Sequence, residues 1–157
     1  MPKAQIDGMD FLGTFIDTLE KDTEALIKRG LYPAAGVIYG EVKRRISALP
    51  ETTKEKPTKE LTPAQKEGLL SSLYGSKFQR QDDGVYFVIS VTGYNEHPTE
   101  AHPKGQPNIM ILRSLERGTL HLHKHPVMRQ SLNAMKKNAI EVMQKTISND
   151  VQKLEKG

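Results

Sequence analysis

Cysteine and tryptophan are both absent from this chain of 157 residues. Without cysteine there is no disulfide, no thiolate metal site and no cysteine nucleophile, while the compartment stays undetermined. Four phenylalanines and five tyrosines are the whole aromatic stock, which is little material for an aromatic-lined substrate cavity or a base-stacking platform. An excess of one charge is also missing: 23 basic residues against 19 acidic ones leave a formal +4. That balance permits a negatively charged neighbour such as nucleic acid without arguing for one. No apolar run approaches the roughly 18 residues of a membrane span. The opening stretch MPKAQIDGMDFLGTFIDTLEKD sets Asp10, Asp17, Glu20 and Asp22 among its apolar residues, so it lacks the unbroken apolar core of a signal peptide. The protein is therefore expected to be made and kept in an aqueous compartment.

What remains is enough for one domain over residues 1–157 with a real core. Met9, Phe11, Leu12, Phe15, Ile16 and Leu19 fall near helical spacing, and Leu26 and Ile27 extend the pattern. A first amphipathic helix is expected from about Asp7 to Arg29. Gly30 is expected to end it, with Pro33 in the first turn of a second helix that closes at Pro50. Glycines at 36 and 40 weaken that second helix by roughly 1 kcal/mol each; close approach of a neighbouring helix or strand is one reading of the cost, and tolerated weakness is an equal alternative. Glu51 to Glu67, ETTKEKPTKELTPAQKE, has no apolar period and reads as a charged surface loop or arm.

From Leu69 to Val91 the period changes. LLSSLYGSKFQRQ, the turn residues Asp82, Asp83 and Gly84, and VYFVISV predict a β-hairpin. GYNEHPTEAHPKGQPN is a loop, and IMILRSLERGT a short helix or strand ending at Gly118. Pro126 then opens the longest element. Met128, Leu132, Met135, Ala139, Val142, Met143, Ile147, Val151 and Leu154 form a stripe, giving a helix of ~43 Å to about Leu154. Its far end is expected to project, to fray, to pack on another chain, or to lie against the first helix. The expected fold is α+β: two N-terminal helices, a small antiparallel sheet with a hairpin, and the long C-terminal helix packed across it.

Chemistry-bearing patterns are few. HLHKH places His121, His123 and His125 at alternate positions, which in an extended chain would put three imidazoles on one face, the minimum for a zinc site completed by water. The stretch contains no carboxylate, carries Lys124 among the would-be ligands and runs into a proline-started helix. A polar loop is the plainer reading. Ser71, Ser72 and Ser114 lack a nucleophile-elbow frame, Asp82 and Asp83 are explained by the turn, and neither GxxxxGK nor GxGxxG occurs. No catalytic residue and no cofactor are expected. Lys43, Arg44 and Arg45, with Lys136 and Lys137 further on, are candidates for non-specific phosphate contacts.

Four segments, in order, carry a resemblance: AAGVIYGEVKRRISALP, GLLSSLYGSKF, LERGT and HPVMRQSLNAMKKNAIEVMQ. Together they resemble the tailed-bacteriophage putative tail-component family, the neck, head-to-tail joining and tail-completion proteins of long-tailed phages. The likeness spans about Ala34 to Ile147. Its most specific part is the ordered pair Glu116-Arg117-Gly118-Thr119 and Pro126-Val127-Met128-Arg129. This chain departs from the family pattern in its inserted charged arm, in a glycine shifted by one position before Leu69, and in Val127 where phenylalanine is common. The resemblance implies a structural virion protein that joins the DNA-filled head to the tail, built as a homo-oligomeric ring, with six subunits expected. The implied partners are copies of itself, the neighbouring head-closure or connector and tail proteins, and passing DNA. A membrane and a small-molecule substrate are not implied. The expected location is the virion neck or the head-proximal end of the tail, after synthesis in the host cytoplasm; a minor tail or tail-completion role is the alternative. Under the same resemblance HLHKH is a connecting loop, Glu116 a structural or interface carboxylate and Gly118 a turn residue, with Thr119, Pro126, Met128 and Arg129 in the same motif pair. From other classes, a histidine-based metal module and a non-specific DNA-binding protein remain as alternatives.

Overall fold

In the computed structural model, which describes residues 23–76, 79–81 and 84–156, one helix, α1 (Thr23–Ser47), runs through Gly30 and Pro33 without interruption. The break expected there is not made, and the helical turns expected from about Asp7 lie outside the described residues. A proline inside a helix costs ~3 kcal/mol by removing an N–H and crowding the preceding turn. Against that cost stands one buried stripe of Ile27, Leu31, Ala35, Ile38, Val42 and Ile46. Each fully buried Leu or Ile contributes about 1.5–3 kcal/mol, so the stripe holds the helix together across the proline. Gly30 serves packing rather than termination: a Cβ there would stand 2.8 Å from Ile147 Cγ1 and 3.1 Å from Met143 Cγ.

Among the described residues two helices precede the strands, but they are not the expected pair: α1 merges the two that were expected on either side of Gly30, and the second is α2 (Pro63–Ser72). It takes in the end of the charged segment and the residues Leu69 to Ser72 that were expected to open the hairpin. Its start is chemically explicit. Thr62 Oγ1 accepts the Gln65 N–H at 3.1 Å, Gln65 Oε1 accepts the Thr62 N–H at 3.0 Å, and Pro63 fills the first turn. This is a complete capping box. The arm before it is a closed loop. Glu51 bridges to Leu61, Thr52 N–H donates to the Leu61 carbonyl at 2.8 Å, and Leu61 is buried.

The strands are short: β1 (Tyr74–Gly75), β2 (Gln79–Gln81), β3 (Gly84–Tyr86) and β4 (Ile89–Ser90). β2 and β3 form the expected antiparallel hairpin, with Gln79 opposite Tyr86 and Gln81 opposite Gly84, and β1 pairs with β4. Helix α3 (Asn108–Arg117) and the long α4 (Val127–Lys156) follow. The class is α+β, with the long C-terminal helix against the first.

The chain divides into two compact units. The first holds the described parts of residues 1–39, 75–88 and 134–157. Here Ala139, Met143 and Ile147 of α4 are buried, as are Ile27, Leu31, Ala34 and Ala35 of α1. Arg29 pairs with Asp150 at 3.2 Å, and Tyr32 meets Phe87 edge-on at 6.1 Å.

The second unit holds residues 40–74 and 89–133. Leu69, Val91, Ile111, Leu112, Leu115 and Val127 are among its buried side chains. Helices α2 and α3 pack together, and Asn108 Nδ2 donates to Ser72 Oγ at 3.1 Å and to the Thr92 carbonyl at 2.8 Å.

Candidate functional site

The motif residues gather in the second unit, where α3 turns into α4. Helix α3 stops because Gly118 adopts φ +76°, a conformation that side-chain-bearing residues rarely take. A Cβ there would also come 2.9 Å from Lys124 Cβ. Thr119 then organises the turn. Its Oγ1 accepts the N–H of His121 at 3.1 Å and of Leu122 at 3.0 Å, while its own N–H donates to the Leu122 carbonyl at 2.9 Å. Leu122 is buried and Leu120 exposed. The stretch from Gly118 to Pro126 lies outside any helix or strand.

Pro126 closes the loop, its carbonyl accepting the Gln130 N–H at 2.9 Å as α4 begins. The first-turn N–H of Met128 has no partner within its own helix, as for any helix start. Glu116 supplies one: its Oε1 accepts that N–H at 2.5 Å. A carboxylate at a helix N-terminus also meets the positive end of the helix dipole. Glu116 thus ties the end of α3 to the start of α4, and it does so from within the motif pair. Arg129, the residue after Met128, is exposed.

The three histidines do not act together. His121 is exposed and engages Thr119 through its backbone alone. His123 and His125 both reach Glu60 of the charged arm, through Nδ1 at 2.9 Å to Oε1 and through Nε2 at 2.8 Å to Oε2. An ionised carboxylate only accepts, so each ring nitrogen facing it carries a proton. The backbone repeats the link, His123 N–H donating to the Lys59 carbonyl at 2.8 Å. Burial pushes the Glu60 carboxyl up, but the hydrogen bonds from His123 and His125 and their charge outweigh it. The carboxyl is held below its ordinary value of 4.5. Two imidazoles and one glutamate can ligate zinc together with a water, but here both rings are hydrogen-bonded to the carboxylate itself, and among the described residues no group of three His, Asp or Glu side chains is placed to hold an ion. What the arrangement does is clasp the arm to the loop that precedes α4.

The basic cluster on α1 is largely spoken for. Glu41 receives Arg44 Nη2 at 2.5 Å, Arg44 Nε at 3.0 Å and Arg45 Nε at 2.8 Å, and Arg45 also reaches Gln130 at 3.4 Å. The hydrogen bond from Arg44 leads the effects that hold Glu41 below the usual carboxylate range, and Glu41 raises Arg44 in return. Lys43 is exposed, with no ion pair among the described residues.

Glu60 and Glu41 are the residues that reading the sequence missed. Glu41 stands three and four residues before the two arginines, the spacing of neighbours on one helix face, so a signal was present. Glu60 carried none, being one glutamate among four in a segment without period.

Neither a family model, nor a curated protein, nor a solved structure matches this chain.

Proposed function

We propose that this protein is a structural component of the neck of a long-tailed bacteriophage, joining the DNA-filled head to the tail as one subunit of a hexameric ring. The observation that carries the reading is the Glu116 to Met128 hydrogen bond. The most specific motifs of the family resemblance, ERGT and PVMR, are separated by a histidine-rich loop in the sequence. In space they form a single joint whose carboxylate caps a 30-residue helix. The pair is accounted for by architecture, with Gly118 for the turn, Thr119 for the loop and Pro126 for the helix start. Glu116 has a structural task, which fits a building block better than a catalyst. A closed ring needs two different surfaces on each copy that fit one another around the rotation axis.

The test is electron microscopy of lysates from the phage carrying this gene, with the gene deleted. Filled heads beside complete but unattached tails are the expected result. Heads joined to tails of abnormal length would move the protein to tail completion, and normal infectious particles would remove the reading altogether.

A further inference from the structure

The second unit carries an open groove of about 460 Å³ along α3, with Ile109, Met110, Arg113, Arg117 and Thr119 among its lining residues. Arg113 and Arg117 are one helical turn apart and exposed, and among the described residues neither guanidinium has a hydrogen-bond or ion-pair partner. This contrasts with Arg44 and Arg45, which share Glu41. Leu120, just past the groove's end, is 83% exposed. Guanidiniums without a partner among the described residues, beside the apolar Ile109 and Met110 and an exposed leucine, describe a surface that fits a segment both acidic and apolar.

The chain itself contains such a segment. Asp7 to Asp22, DGMDFLGTFIDTLEKD, has five acidic residues against one lysine, a net −4 in sixteen residues. Since the whole chain totals +4, the other 141 residues carry +8. Asp17 and Glu20, three apart in the sequence, offer two carboxylates to set against the two arginines. Met9, Phe11, Leu12, Phe15 and Ile16 supply the apolar component.

We infer that the α3 groove receives the Asp7–Asp22 segment of a second copy of this chain. An acidic donor and a basic acceptor on the same polypeptide make a heterologous, head-to-tail contact, which is the kind a ring propagates. The inference deepens the ring reading by naming the contact.

The test uses the full-length chain in sedimentation velocity over a concentration series at low salt. The wild type is expected to associate, and more weakly as salt rises. The groove variant Arg113→Glu/Arg117→Glu and the segment variant Asp17→Lys/Glu20→Lys each weaken association about tenfold or more, and combining all four substitutions restores it to within about threefold. Circular dichroism and melting curves confirm that each variant is folded. Three outcomes would overturn the inference: a wild type that stays monomeric to about 100 μM, association indifferent to the groove variant, or a four-fold variant that recovers melting temperature but not association. The last would put the segment on its own chain. A phage that needs the gene for head-to-tail joining, with a protein whose association ignores the groove, would defeat this inference and leave the neck role standing.

Discussion

At the scale of single residues, two glutamates hold the joint between α3 and α4, and each makes a prediction. Replacing Glu116 by alanine strands the Met128 N–H at the start of α4 and is expected to cost about 1–2 kcal/mol. Glutamine, which keeps an acceptor oxygen without the charge, recovers part of that loss; urea denaturation midpoints of the two variants measure both effects. Glu60 predicts a pH dependence. Its carboxyl is depressed in the folded protein below the ordinary 4.5, so its contribution is present above that value and is lost as pH falls through the folded one. Glu60→Gln should therefore lower the urea midpoint at pH 7, and the gap to wild type should narrow as pH falls below 4.5 and through the depressed folded value. A gap that stays the same throughout that acid titration would mean that the clasp contributes through packing and not through the charge. Glu116 was legible because it heads the first of the two motifs. Glu60 was not, because nothing local distinguishes a carboxylate whose partners lie 63 and 65 residues away.

At the scale of elements, punctuation residues were read as local signals where tertiary packing decides. Gly30 and Pro33 both carry helix-ending chemistry, yet α1 passes through them because its buried stripe continues on either side. Thr62, Pro63 and Gln65 carry equally plain helix-starting chemistry, obscured in the sequence by the charged run around them. In α4 the buried residues Val127, Ser131, Ala139, Met143 and Ile147 follow steps of four. Since a turn takes 3.6 residues, that line drifts by about 40° per step. The drift explains why Met128 and Leu132, expected in the stripe, are half-buried at its edge. The glycines of α1 sort by the same logic. Gly36 and Gly40 have open space around an added Cβ among the described residues, which favours tolerated weakness over close approach of a neighbour at both. Gly36→Ala and Gly40→Ala should each stabilise by roughly 1 kcal/mol, raising the melting temperature by a few degrees. Gly30→Ala should do the opposite, because the same methyl group meets Ile147 at 2.8 Å.

At the scale of the whole molecule, charge is placed differently from where the sequence concentrates it. Lys43, Arg44 and Arg45 look like a triple cation, but Glu41 takes both arginines and leaves Lys43 as the member of the three without an ion pair among the described residues. The difference is measurable if the protein meets DNA. Each phosphate neutralised contributes about 0.9 to the slope of log affinity against log salt. Three independent cations would contribute about 2.7, and one about 0.9. Fluorescence anisotropy on a short duplex, between about 50 and 200 mM salt, should then show Lys43→Ala reducing the slope by nearly as much as the triple alanine variant does. A loss near 2.7 on the triple variant, with less than half of it from Lys43 alone, would mean that phosphate displaces Glu41 from both guanidiniums. Glu41→Gln separates those cases. Where Glu41 holds the arginines in the bound state, removing its charge frees two cations and steepens the slope by up to about 1.8; where phosphate already displaces it, the slope stays where it was.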